Sequence, residues 1–125
     1  MSKTDLGEPC WFLVPERQDS RPGIGNGQAQ SGETLLRLFK EVRRVADGAT
    51  KGVARTTVFG AWEGIEDWSV RYEVALTGPQ QEELTEVLER FVRPLGQECL
   101  YVVLGGRRAY LVFPPDPEPP GRTGG

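Results

Sequence analysis

The chain has 125 residues, the size of one domain, and its composition is 38% hydrophobic and 26% charged. These values exclude a wholly disordered chain, and the presence of only two cysteines excludes a small disulfide scaffold. The formal net charge is −3, and histidine, the commonest metal ligand, is absent. No apolar run approaches the roughly 18 residues of a membrane span, and no secretion signal follows Met1, so we expect a cytoplasmic protein.

Three segments are predicted to lie outside the packed core. Residues 1–8 are polar, residues 16–32 hold four glycines, and residues 114–125 hold five prolines and three glycines. Ordering the backbone of such segments costs more conformational free energy than burial of their few apolar side chains contributes. We therefore expect one domain over residues 9–113, with a mobile loop at 16–32 and a disordered tail at each end.

The first half of the domain predicts a strand, a helix and a strand. Residues 9–15 form an apolar run bounded by prolines, which is typical of a buried strand. Ser31 can cap a helix whose apolar residues recur at helical spacing, including Leu38 and Val42. Residues 52–62 are rich in β-branched and aromatic residues and predict a second strand.

The second half begins with the clearest strand. From residue 68 to 77 apolar side chains alternate with the others, namely Trp68, Val70, Tyr72, Val74 and Leu76. The sequence from Thr77 to Gln80 is a capping box, and it opens a helix with Leu84, Leu88 and Phe91 on its apolar side. Strands at 99–104 and 108–113 follow, joined by a tight turn at Gly105 and Gly106. The expected core combines residues from these elements: Leu38, Val42, Val70, Tyr72, Leu84, Leu88, Phe91 and Val102.

This order of elements resembles the ferredoxin-like βαββαβ plan with an added C-terminal hairpin strand. The resemblance implies an α+β fold in which an antiparallel sheet of order 4-1-3-2 carries both helices on one face. The turn at Gly60–Gly64 and the segment Leu95–Glu98 are also similar to small uncharacterised actinobacterial and phage proteins. Those families carry no activity that could be transferred to this chain.

Residues 27–34 have the spacing of a phosphate-binding P-loop, but Glu33 stands where that motif has its lysine. A glutamate there would repel the phosphates that the lysine attracts. P-loops also belong to parallel sheets, which this element order does not build. We therefore interpret the segment as a loop ending in a helix cap.

Catalytic and metal-binding patterns are weak. Glu63, Glu66 and Asp67 form an acidic turn that we interpret as solvated, so no metal or other cofactor is expected. Cys10 and Cys99 have no histidine to activate them. In the proposed sheet Cys10 begins the first strand and Cys99 begins the fourth, and these two strands are antiparallel neighbours. The two cysteines therefore lie about 15 Å apart, beyond the limit of roughly 7 Å between the Cα atoms of a disulfide. Both are therefore predicted to be buried thiols without a disulfide bond.

The charge distribution favours protein partners over nucleic acid. A basic patch is formed by Lys40, Arg43, Arg44, Lys51 and Arg55, but the chain is acidic overall and lacks the aromatic, basic motif of RNA-recognition domains. The expected partner-binding residues lie on the second helix, in the loop and on the sheet: Glu82, Glu83, Glu86, Glu89, Arg17, Arg21, Trp62, Tyr101 and Tyr110.

Two classes of function are consistent with these sequence patterns. The first is a non-enzymatic interaction module, such as a regulator, inhibitor or accessory subunit that binds another protein. The second is a homodimer that pairs sheet to sheet into an α+β barrel and binds or transforms a small molecule. That barrel needs an apolar open sheet face, for which the candidates are Val58, Trp62, Tyr101, Val103 and Tyr110.

Overall fold

A computed structural model of the protein describes residues 2–46, 52–62 and 65–116, except for the side chains of Trp62 and Ile65. It contains five strands and two helices within these residues. Their bounds are β1 (Glu8–Pro15), α1 (Gly32–Val45), β2 (Ala54–Trp62), β3 (Ile65–Leu76), α2 (Gly78–Phe91), β4 (Leu100–Leu104) and β5 (Arg108–Val112).

The strands form one antiparallel sheet in the order β2-β3-β1-β4-β5. Read from the other edge, the first four strands have the predicted order 4-1-3-2, and β5 is the added hairpin strand. The α+β ferredoxin-like prediction is therefore confirmed. The largest boundary difference is at β3, which starts at Ile65 and is longer than the predicted 68–77 segment.

Cross-strand register assigns each side chain to one of two faces. Phe12 lies opposite Tyr72 on β3 and opposite Val102 on β4, and all three are fully buried against the helices. Residues two positions along each strand share this side, which we call the helix face. Trp11, Val103 and Glu73 lie on the other side, the open face.

Both helices begin where the sequence predicts. The Ser31 hydroxyl accepts a hydrogen bond from the Thr34 amide at 3.4 Å. The Thr77 hydroxyl likewise accepts from the Gln80 amide at 3.5 Å, while the Gln80 side chain accepts from the Thr77 amide at 2.9 Å. These contacts satisfy amides that the first helical turn leaves unpaired.

One hydrophobic core lies between the helices and the helix face. Every predicted core residue belongs to it, although Val70 is only partly buried. The largest fully buried side chains include Tyr72, Phe12, Leu84 and Leu88. Most of the stability of both helices comes from this packing, because isolated helices of 14 residues are marginal in water.

The β2–β3 hairpin extends past its neighbour. Strand β1 pairs with β3 only between Ser69 and Leu76, whereas β2 pairs with β3 as far as Ile65. The part beyond the last β1–β3 pair, residues 59–62 and 65–68, is called the β2–β3 arm below. The arm is a two-stranded ribbon on one edge of the sheet.

Hydrogen bonds connect loop 16–32 to itself and to the segment after α2. The Gln18 amide donates to the Gln28 carbonyl at 2.8 Å, and the Asp19 amide donates to the Gly96 carbonyl at 2.8 Å. The Gln97 side-chain amide donates to the Arg17 carbonyl at 3.0 Å. These contacts define where the loop lies, and its mobility stays a prediction.

Candidate ligand groove between α2 and β5

A groove of about 250 Å³ runs between α2 and the last hairpin of the sheet. Helix α2 supplies Thr85 and Glu89, β4 supplies two aliphatic side chains, and β5 with the next residue completes the wall. The sheet residues are Val102, Leu104, Tyr110, Leu111, Val112 and Phe113. The groove therefore combines aliphatic walls, two aromatic rings, a carboxylate and two hydroxyl groups.

Helical spacing brings the two polar α2 residues together. Thr85 and Glu89 are four residues apart, so they stand one turn apart on the same side of the helix. The Thr85 hydroxyl donates to the Gln81 carbonyl at 3.0 Å, which fixes its position and leaves its oxygen as an acceptor. Glu89 is half-buried, unlike Glu82 and Glu86, which are exposed on the same helix.

Tyr110 enters the groove because of the β4–β5 register. It lies opposite Val102, which lies opposite Phe12, so its ring is on the helix face. The sequence interpretation that placed Tyr110 beside Tyr101 on the open face is wrong. Tyr101 lies opposite Leu111 and one residue away from Val102, so it has the opposite orientation. Strand β5 is at the sheet edge, which leaves the Tyr110 ring 45% exposed.

These groups can recognise a flat ligand that also carries hydroxyl groups. The faces of Tyr110 and Phe113 can stack against an aromatic ring. The Glu89 carboxylate can accept hydrogen bonds from hydroxyl or amino groups, and such charge-assisted bonds are stronger than neutral ones. The groove thus joins two of the predicted partner-binding residues, Glu89 and Tyr110, in one place.

The other predicted α2 residues lie away from the groove. Glu82, Glu83 and Glu86 are exposed, and the Glu83 carboxylate is 3.9 Å from the Arg44 guanidinium of α1. The acidic side of α2 therefore adjoins the basic side of α1. Within that basic patch Lys51 lies outside the described residues.

Arg21 is part of an ion-pair cluster on the loop. Its guanidinium is 2.7 Å from the Asp19 carboxylate and 3.0 Å from that of Glu98. Hydrogen bonding to the Arg21 side chain and amide lowers the pKa of the Asp19 carboxyl group below its ordinary value. Arg17 is exposed, and its backbone forms an isolated bridge with Ala29. The two arginines do not approach the groove residues through any described contact.

The open face is less apolar than the barrel interpretation requires. Arg71 lies over the Trp11 ring at 4.3 Å and is 2.6 Å from the Glu73 carboxylate. Val58, Tyr101 and Val103 do lie on this face. The side chain of Trp62 lies outside the described residues. A charged pair thus occupies the centre of the face.

A second depression, of about 400 Å³, lies where β1, β2 and β3 meet. It is larger, but its wall is mostly backbone and small or aliphatic side chains: Pro9, Gly52, Val53, Ala54, Val74 and Ala75. Glu73 is its one charged lining residue. We favour the α2–β5 groove as the ligand site because it combines aromatic rings, hydroxyl groups and a carboxylate.

The cysteines are not disulfide-bonded, as predicted. Cys10 is buried and its sulfur accepts a hydrogen bond from the Gly105 amide at 3.4 Å, but burial outweighs this contact and raises the thiol pKa. Cys99 is half-buried, which corrects the prediction that both thiols are buried, since Cys99 lies just before β4 begins.

The described part of the chain holds no group of three or more side chains able to bind a metal ion. Within the acidic turn, Glu63 lies outside the described residues, Glu66 is exposed, and Asp67 accepts from the Trp68 amide at 2.8 Å. None of the described helices is long and apolar enough to cross a membrane.

Comparison with known proteins gives one informative similarity. No family model matches the chain, and no curated protein matches it. Among solved structures, its fold is similar to that of a phage SAM lyase in complex with S-methyl-5′-thioadenosine. The identity is 12%, the TM-score is 0.55, and the match covers 90% of this chain and 94% of that chain.

At this identity the similarity shows the fold alone. It agrees with the predicted likeness to phage proteins and with the ferredoxin-like plan. A similarity of fold gives no support to the non-enzymatic interpretation of the sequence.

Proposed function

We propose that this protein binds a small nucleoside-like ligand in the groove between α2 and β5. The observation that carries the proposal is the position of Tyr110 and Glu89 on facing walls of one groove, with Thr85 and Phe113 beside them. Aromatic rings suit a base, and a carboxylate suits the hydroxyl groups of a ribose.

The similar fold of a protein that holds S-methyl-5′-thioadenosine supports the choice of ligand class. That molecule has a flat purine, two ribose hydroxyl groups and a small apolar thioether. The groove offers a counterpart for each, since Leu104 and Val112 provide an aliphatic wall for the thioether. It is therefore the first ligand to test.

The test is a calorimetric or NMR titration of the protein with S-methyl-5′-thioadenosine. Tyr110→Ala should weaken binding about tenfold or more, because stacking of one base on an aromatic ring contributes about 1–3 kcal/mol. Glu89→Gln should weaken it by a similar factor, because charged hydrogen bonds contribute about 1.5–3 kcal/mol.

Matched controls separate the groove from the rest of the surface. Tyr101→Ala removes an exposed tyrosine from the neighbouring strand on the opposite face, and Glu82→Gln removes an exposed carboxylate from the same helix. Neither should change the affinity. Equal effects of Tyr101→Ala and Tyr110→Ala, or no binding at all, would refute the proposal.

A second candidate function is protein binding through the acidic side of α2. Three exposed glutamates on one helix, Glu82, Glu83 and Glu86, favour it because such a surface steers basic partners. Replacing all three with glutamine should then weaken capture of a basic partner and leave nucleoside binding unchanged. Both candidates include a cytoplasmic location, for which two cysteines without a disulfide bond are the support.

A further inference from the structure

The β2–β3 arm carries two aromatic rings that its own sheet leaves uncovered. The rings of Phe59 and Trp68 pack against each other with centroids 5.0 Å apart and planes inclined by 52°. Phe59 is 56% exposed and Trp68 is 50% exposed. A two-stranded ribbon is marginally stable by itself in water, and exposed aromatic pairs of this kind mark interaction surfaces.

An acidic side chain accompanies the two rings. Glu66 is exposed and precedes Trp68 by two residues, so both project from the same side of β3. Their separation along the strand is about 7 Å. The helix-face side of the arm therefore presents aromatic rings next to a carboxylate.

Helix α1 presents the complementary pattern on its outer side. Leu36 is 52% exposed. Lys40 is exposed one turn further along, about 6 Å away. Arg37 is also exposed and adds positive charge. An apolar side chain next to a cation matches aromatic rings next to a carboxylate, at nearly the same spacing.

We infer that the β2–β3 arm of one copy docks on helix α1 of a second copy. Phe59 and Trp68 cover Leu36, and Glu66 faces Lys40. We assign the partner as a second copy because every copy of the chain carries both surfaces, and the two surfaces have opposite charges. The arm aromatics and α1 lie on the same side of the sheet, so a two-fold axis would form the contact twice. The ligand groove is at the opposite sheet edge and is independent of this contact.

Sedimentation velocity over a range of protein concentrations at low salt tests this inference. The wild-type protein should associate, and added salt should weaken association. Trp68→Ala should raise the dissociation constant about thirtyfold, as expected for a buried interface tryptophan. Glu66→Lys should raise it at least about tenfold by placing two cations together.

The decisive variant combines Glu66→Lys with Lys40→Glu. It restores opposite charges at the contact, so association should return towards the wild-type value while both single variants stay weak. Tyr101→Ala, which removes an exposed ring from the open face, is the matched control and should have no effect. Circular dichroism checks that each variant is folded.

Three results would overturn the inference. The first is a wild-type protein that stays monomeric at every concentration. The second is a folded double variant that associates no better than the single variants. The third is association that Tyr101→Ala abolishes and Trp68→Ala leaves intact, since this would place the contact on the open face.

Discussion

Phe12 and Tyr72 stack face to face across the β1–β3 boundary, with ring centroids 4.9 Å apart and planes inclined by 3°. Both side chains are fully buried at the centre of the sheet. The Tyr72 hydroxyl is also buried, and it has no hydrogen-bond partner among the described residues. The ring therefore contributes packing, whereas the hydroxyl costs desolvation energy.

Removing this hydroxyl should not destabilise the protein. We expect Tyr72→Phe to leave the free energy of unfolding unchanged or to raise it by about 1 kcal/mol, because an unsatisfied buried polar group is removed. Urea unfolding measures the change. Phe12→Leu, which removes the stack, should be destabilising in the same assay, and a large loss in Tyr72→Phe would show that the hydroxyl has a partner.

Truncating a leucine on the apolar side of α2 should destabilise the protein more than truncating one on the exposed side of α1. Leu88 is fully buried, so Leu88→Ala should lower the free energy of unfolding by about 2–5 kcal/mol. Leu36→Ala, on the exposed side of α1, should change it by less than about 0.5 kcal/mol. The pair is compared by denaturant melts at a concentration where the protein is monomeric. Similar losses at both sites would contradict the burial of Leu88.

Cys10 should make stability fall at alkaline pH. Its thiol pKa is raised by burial, so the folded state holds its proton more tightly than the unfolded chain. The contribution is complete below the ordinary thiol pKa and is lost as the pH rises through the folded value. Under reducing conditions, unfolding free energies of the wild type should decline more steeply than those of Cys10→Ala. Identical curves for the wild type and Cys10→Ala would refute the prediction.

Loop 16–32 should be mobile on the nanosecond timescale. We expect the largest motion at Pro22 and Gly23, which are exposed, and less at Gln18, Asp19 and Arg21, which are hydrogen-bonded. Backbone NMR order parameters should fall below about 0.6 there, against about 0.85 in the strands. Gln97→Ala should increase the motion because its amide bonds the Arg17 carbonyl. Gln81→Ala, distant in sequence from the loop, is the control, and uniform strand-like values would refute the prediction.

The fold could be predicted because several local patterns agree with one another. The alternation from Trp68 to Leu76 defines which face of β3 is buried, and the register in the structure follows it. The cap at Ser31 and the capping box at Thr77 locate both helix starts to the residue. Once these elements are placed, few antiparallel arrangements remain, and the observed order is one of them.

The groove could not be predicted for a physical reason that concerns β5. Its side chains are apolar on both faces, since Tyr110 and Val112 alternate with Ala109 and Leu111. Only the turn geometry at Gly105 and Gly106, both with positive φ, decides which set faces the helices. Thr85 was missed as well, although its four-residue spacing to Glu89 on α2 is a signal that the sequence contains.

The central position of β1 has a consequence for how the chain folds during synthesis. Phe12 pairs with Tyr72 and with Val102, which are 60 and 90 positions further along the chain. Folding is slowed by such distant contacts because the chain loses the entropy of closing a long loop before the contact stabilises it. On the ribosome, the apolar residues of β1 emerge before those of β3 and β4 and stay unpaired until these strands have been made. Among the five strands, β1 is therefore made first, but its pairing is completed only after β4 has been made.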